Sequence, residues 1–420
     1  MFLLENPLPT CSEGLWEMHE MFHETLFSKW VFKGHDQGLR FDFHLPLCDR
    51  DQSNLENVIA AFVATEADKL DTEALPQPTL KDESSKWKCM SYMQKAIRRG
   101  QFIHAWRATV ALLKGGKTAD MMWRRLVVTS LEDIGLADPY AVAFTCWAAG
   151  NRKVRSKIGE EQVLAFVLNA LCDAPKSRDL CDAVVYNFLP QTFEREFAEV
   201  NGWDDKRLVE VASDLESPFK PRYLAHWRMF GPKFGCTTSG NAKSDPRLSF
   251  QFYEKINLPP LIQYIAHEGY RRCGEALGIP IPFLWQWMTC SQTAWTEADP
   301  FEDNRDSIVD NMLAATFDKH TWQGKGAMKR FLSTCKPVKA WLNQNCTGDQ
   351  FTALERAVFY AEGALLRPRL FFDGARQFYD HVLSAKLVSN GIPQLESGYE
   401  FYKLVQANLD HLDALRSSKG

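Results

Sequence analysis

Long apolar runs are missing from this 420-residue sequence, and no stretch reaches the ~18 residues of a membrane-spanning helix. The opening "MFLLENPLPT" has a short apolar run and no basic lead, which argues against a secretory signal. No two of the 11 cysteines form a CxxC pair and their number is odd, so they read as reduced thiols of a cytoplasmic protein rather than a disulfide framework. An excess of positive charge is also lacking. At a net charge of −4 the chain has no bulk field to attract nucleic acid, and any such binding must use a local patch. Internal repeats and low-complexity tracts are absent, and an ordinary charged fraction of 24% excludes disorder as the default. Aromatic residues, by contrast, are plentiful: 13 tryptophans and 28 phenylalanines can supply both a core and stacking platforms.

The pattern predicts a mainly α, multidomain helical bundle with a small mixed N-terminal segment. Residues 1–75 hold clustered histidines and one alternating, strand-like piece, "LRFDFHLPL". Leu70 to Lys86 is polar, contains two prolines and reads as a linker. Residues 87–190 read as a helical domain. There Ile103, Trp106, Val110 and Leu113 step by three and four onto one face. Gly100 and Gly150 sit where helices should stop, and Asp138-Pro139 is a helix start. Residues 191–257 form a basic and aromatic crossover, in which Ser217 to Arg247 reads as an ordered loop. Residues 258–420 return to helical periodicity, and "YEFYKLVQANLDHLDAL" reads as one terminal helix.

"ALLKGGKTAD" ends its first half like a phosphate-cradling loop. That loop needs Gly-x-x-x-x-Gly-Lys-Ser/Thr between a strand and a helix, so that backbone N–H groups can close on phosphate. Here Ala111 occupies the first glycine's place and the preceding residues form an amphipathic helix. Gly115-Gly116 therefore reads as a helix stop, with Lys114 at the negative end of the dipole. No ATPase motif is left, and no cofactor is expected.

Two ordered motifs follow. Arg124-Arg125-Leu126 precedes Leu131-Glu132-Asp133-Ile134-Gly135-Leu136-Ala137-Asp138-Pro139, and Ala174-Pro175-Lys176-Ser177 comes later. Together they resemble the C-terminal region of the RarA/MgsA family of clamp-loader-like AAA+ ATPases, with its "ARRL…SEDIGLADP" run and its Ala-Pro-Lys-Ser turn. The resemblance covers about a quarter of the chain and makes 87–190 a collar-like domain. It implies oligomer assembly and a setting of replication forks and single-stranded gaps. Too few residues precede it for the family's ATPase core, and they hold no Walker sequence, so ATP hydrolysis is not implied. Within the motif, Leu131, Ile134 and Leu136 should pack around a Gly135 turn, with Asp138 capping the next helix. Glu132 or Asp133 should pair with Arg124 or Arg125 and fix a helix crossing.

Two surfaces could bind nucleic acid. "GNRKVRSK" puts Arg152, Lys153, Arg155 and Lys157 in a loop between collar helices, and Lys95, Arg98 and Arg99 end another helix. If these turns met they would hold several phosphates; read singly, each is a solvated helix end. Around Phe219 to Phe234, Tyr223, Trp227 and Arg228 could stack on or clamp bases, unless the aromatics anchor the crossover to the core.

"HEMFH", His19 to His23, matches the H-E-x-x-H zinc pattern with Glu20 as base, and His35 and His44 lie nearby. No substrate-binding sheet can precede it, however, and Leu26 replaces the glycine of the extended metzincin motif. No metal is therefore expected, although His19 and His23 keep a zinc hydrolase open as an alternative.

The expectation is a non-enzymatic, cytoplasmic DNA-binding accessory protein, with no catalytic residue assigned. It would prefer single-stranded or gapped DNA, form homo-oligomers, stay off membranes, and recruit or assemble replication, recombination or transcription machinery such as a polymerase. It could lie with the nucleoid or in a host cytoplasm, since a motorless fragment would suit a phage. An oligomeric adaptor without DNA binding is the other alternative.

Overall fold

The computed structural model describes residues 32–33, 40–41, 49–76, 86–187, 199–229, 246–273, 276–290, 296–298, 307–362 and 369–371, positions 379, 382, 386 and 388, and residues 390–392 and 395–417. The fold is mainly α. Helices run in the order α1 Asp49–Asp68, α2 Lys86–Arg98, α3 Phe102–Lys114, α4 Thr118–Asp133, α5 Pro139–Gly150, α6 Arg152–Ile158, α7 Glu160–Asp173 and α8 Asp179–Asn187. They continue with α9 Asp205–Ser213, α10 Phe219–Met229, α11 Pro246–Lys255, α12 Pro260–Cys273 and α13 Ile281–Cys290. The last are α14 Trp322–Thr334, α15 Lys336–Asn345, α16 Gln350–Ala361, α17 Leu395–Gln406 and α18 Leu409–Ser417. Strands among the described residues are two or three residues long. Phe32–Lys33 (β1) pairs antiparallel with Arg40–Phe41 (β2), and only β2 lies in the strand-like piece read from sequence. Ile308–Val309 (β3) pairs antiparallel with Met312–Leu313 (β4).

The chain divides into two compact units of interleaved segments. One comprises 1–71, 126–296 and 370–378, and the other 72–125, 297–369 and 379–420. Helix α4 contributes to both.

In the first unit α5 lies at the centre. Its sequence, "PYAVAFTCWAAG", is apolar on every face, so no side of it can be left to water, and residues 139–148 are all buried. Helices α1, α7 and α12 surround it. Phe62, Phe144 and Phe166 join α1, α5 and α7 through ring centroids 5.2–5.9 Å apart. A second cluster gathers Phe219, Tyr223 and His226 of α10 against Phe283 of α13. In the second unit α2 and α3 form a helical hairpin, and α14 packs on α15, α16 and α18. Trp341 stacks on Phe401 at 4.5 Å and Tyr360 on Tyr402 at 5.6 Å.

Helix α3 ends at Lys114 with Gly115 as its cap and Gly116 at φ +64°, so the Gly-Gly-Lys-Thr stretch is a helix stop and not a phosphate loop. Trp106 and Val110 are buried as expected, but Ile103 is 40% exposed, and Ala105, Ala108, Thr109 and Leu112 complete the inner face instead. Part of the expected loop after Ser217 is helix α10. Pro221 sits in its first turn, where a missing N–H costs no intrahelical bond. The expected single terminal helix is two. It breaks at Ala407 and Asn408, where the Asn408 side chain turns back to donate to the Leu404 carbonyl at 2.8 Å.

Candidate functional site

The two sequence motifs meet in the first unit and form one interlocked junction. Helix α4 ends at Asp133. The chain then turns through Gly135 at φ +53°, a conformation that suits glycine, and a Cβ there would lie 3.0 Å from the Leu180 side chain. Leu131, Ile134 and Leu136 are buried around this turn. Asp138 caps α5 as expected, accepting from the backbone N–H groups of Tyr140 at 3.1 Å and Ala141 at 3.0 Å.

The second motif closes on the first. Lys176, fully buried, places its ammonium at the C-terminal end of α7, donating to the carbonyls of Leu171 at 2.8 Å, Cys172 at 3.2 Å and Ala174 at 2.6 Å. The Ser177 N–H donates to the Asp133 carbonyl at 3.0 Å. The Ser177 hydroxyl donates to Asp179 Oδ2 at 2.7 Å and starts α8. Arg178 Nη1 donates to Asp133 Oδ1 at 2.6 Å, and the Asp133 side chain is wholly buried.

This corrects the expected pairing. Asp133 is held by Arg178, and Glu132 also acts on that guanidinium, whereas Arg124 and Arg125 take no part. The reason is geometric. Arg124, Arg125, Glu132 and Asp133 share one helix, and seven to nine residues of rise separate the groups by roughly 10–14 Å. Arg124 is exposed and Arg125 half-buried. The junction commits its polar side chains to helix ends and to one another, so its chemistry is positional: it fixes α4, α5, α7 and α8.

Burial pushes the Asp138 carboxyl up to about 7, against the Ala141 and Tyr140 N–H groups and Lys176, which pull it down. The shift lies above the ordinary value of 3.8, so the stability it contributes is complete below about 4 and is lost as pH rises through about 7. Asp138→Asn keeps the capping oxygen and removes the titration. Its melting temperature should gain on the parent's between pH 4 and pH 7.5, and a gap that does not move with pH would contradict this. Buried His226, its pKa lowered by burial to about 4, drives the opposite trend but is common to both proteins and cancels.

The basic residues separate by burial. The basic residues of "GNRKVRSK" lie on helix α6, Arg152–Ile158, rather than in a loop. Arg152, Lys153 and Lys157 are exposed on it, while Arg155 is buried, donating to Glu160 at 2.9 Å and to the Ala148 carbonyl. Lys95, Arg98 and Arg99 are all buried, in the other unit. Tyr223 and Trp227 are core residues: the Tyr223 hydroxyl donates to the Ala183 carbonyl at 2.7 Å, and its ring packs among Tyr186, Phe219 and Phe283. Arg228 is half-buried and donates to Asn201. Placed in this way, the two rings have no face to offer a base. His19, Glu20, His23, His35 and His44 lie outside the described residues. Among those described, no three His, Cys, Asp or Glu residues could hold a metal together, and no helix is long and apolar enough to cross a membrane.

The second unit holds a buried charge cluster that the sequence reading missed. Lys95 Nζ lies 3.3 Å from Asp318 Oδ2 and 4.9 Å from the centre of the Phe359 ring. Burial works against the Asp318 carboxylate, but Lys95 and His320 outweigh it and hold the group well below the usual range. Arg416, fully buried, binds Glu362 with both terminal nitrogens, Asp413 at 2.8 Å, and the Phe317 carbonyl at 3.1 Å. The partners Lys95 and Asp318 stand 223 residues apart, and no local pattern in the sequence marks them. Arg178 is different: it directly follows the Ala-Pro-Lys-Ser turn, and a lone arginine beside a family motif was a usable signal.

Residues 105–188 match the family model described as the MgsA AAA+ ATPase C terminal. The match spans about a fifth of the chain, bears out the resemblance carried by the two motifs, and is to the C-terminal domain alone. Comparison with curated proteins and with solved structures gave no match.

Proposed function

We propose that the chain is a non-enzymatic assembly factor for DNA-associated machinery, in which the region like the MgsA C terminus joins copies of the chain. The observation that carries this reading is the match over 105–188, together with the interlock of its two motifs through Asp133, Ser177 and Arg178. A junction this heavily bonded suits a scaffold that must hold its shape while presenting a surface to another subunit. The AAA+ clamp-loader-like relationship supports a replication, recombination or transcription setting with single-stranded or gapped DNA, and a polymerase fits as the recruited partner.

Within this module, DNA contact falls to Arg152, Lys153 and Lys157, the exposed cations of α6. The triple variant Arg152→Ala, Lys153→Ala and Lys157→Ala should weaken binding to a labelled gapped duplex and flatten its dependence on salt. Up to three phosphate contacts are lost, each worth roughly 0.7–0.9 in the log–log slope. Fluorescence anisotropy at several salt concentrations measures this, and an unchanged slope removes α6 from the interface. The adaptor reading without DNA has its own support in the burial of Lys95, Arg98, Arg99, Tyr223 and Trp227, which leaves fewer candidates to touch nucleic acid.

A further inference from the structure

Trp322 is 92% exposed. It opens α14, and the Thr321 hydroxyl fixes the start of that helix by accepting from the Gly324 N–H at 3.1 Å. A tryptophan left almost wholly in water forfeits the largest burial gain of any side chain, so its position needs a reason.

Its surroundings supply one. From residue 319 to 348 the sequence carries Lys319, Lys325, Lys329, Arg330, Lys336 and Lys339 and not one aspartate or glutamate, in a chain of net charge −4. Lys325 and Lys329 lie three and seven residues after Trp322, which puts all three on one face of α14. Both lysines are exposed, and so are Lys336 and Lys339 on α15, which follows after the single residue Cys335. Among the described residues none of these four lysines pairs with a carboxylate. Lys329 instead leans over the Phe351 ring at 5.8 Å.

We infer that this face of α14, continued by α15, is a single-stranded DNA surface in which Trp322 stacks on a base and Lys325, Lys329, Lys336 and Lys339 follow the phosphates. Cations that track a backbone beside an aromatic ring that meets bases are what single strands require. A ring standing clear of the surface needs an unstacked base, which a duplex does not offer. An apolar protein patch would use the ring but leave the lysines idle, whereas a polyanion with flat faces uses both. The inference takes the DNA-associated setting proposed above as its premise but stands on residues outside the matched segment.

The test uses the full chain and a fluorescein-labelled oligothymidylate, read by anisotropy at several salt concentrations. Trp322→Ala should weaken binding about tenfold, within the range for one lost stack. Lys325→Ala with Lys329→Ala should weaken it further and lower the salt slope by about 1.4, two single-strand phosphate contacts. The substituted side chains are exposed, and circular dichroism confirms that each variant is folded. Parental affinity in both variants overturns the assignment. If only the α6 triple variant loses affinity, this surface fails and the α6 reading stands. If the parent ignores the oligothymidylate but binds a polyglutamate peptide through Trp322, the surface belongs to an acidic protein segment and the inference fails, while the assembly reading is untouched.

Discussion

Arg416→Ala should lower the stability of the chain by about 3–5 kcal/mol, the cost of stripping one partner from a buried ion pair. Arg416 is fully buried, and its guanidinium answers two carboxylates and a backbone carbonyl at once. Glu362 is 2% exposed and Asp413 is 9% exposed. Without Arg416 both would remain as like charges away from water, and the Phe317 carbonyl would lose a donor. The loss therefore arises more from stranded partners than from a missing contact. Arg416→Met combined with Glu362→Leu should recover part of the loss, because an apolar replacement removes a stranded charge as well. Urea denaturation of the three proteins measures this. Added salt should change the parent's midpoint little through this pair, since screening acts weakly on groups taken out of solvent. A midpoint for Arg416→Ala close to the parent's would show that the cluster is not sealed.

Arg178→Ala should cost about the same, 3–5 kcal/mol, through the same fault: a carboxylate, Asp133, left buried without its cation. This substitution acts where the two motifs meet. The Ser177 N–H bond to the Asp133 carbonyl remains, but the turn after α7 loses its charged anchor to α4. Arg178→Lys should recover part of the loss, because an ammonium restores the charge without the planar fork. Arg124→Ala and Arg125→Ala are the controls. They sit two turns back along α4 on accessible positions and should stay within about 0.5 kcal/mol of the parent. On the proposed reading Arg178→Ala also loosens the assembled state, while Arg416→Ala, in the other unit, acts on stability first.

The sequence was legible where its signals were local. Helix α5 was written in Asp138-Pro139, the stop of α3 in Gly115-Gly116, and the Gly135 turn in its packed neighbours, because caps, turns and apolar faces depend on residues within a few positions. Charge was less legible. A basic residue near a helix end reads the same whether it is solvated, as Lys153 is, or turned inward, as Arg155 is; Glu160 and the Ala148 carbonyl decide, and spacing does not announce them. Tyr223 and Trp227 posed the matching problem for aromatics. Their basic neighbours suggested a stacking platform, but Pro218 and Pro221 start a helix in which both rings are core. Burial of Lys95 against Asp318 and of Arg416 against Glu362 rests on contacts between distant segments, which one sequence does not encode locally. The lysine face beside Trp322 was readable as composition, but only the exposure of the ring gives it direction.

If the region like the MgsA C terminus joins copies of this chain, as proposed, the molar mass of the full chain in solution shows it most directly. Light scattering coupled to size exclusion, at micromolar concentration and above, should give an integral multiple of 48.1 kDa, falling toward a single chain in Arg178→Ala. A particle of 48.1 kDa at every concentration would contradict the account.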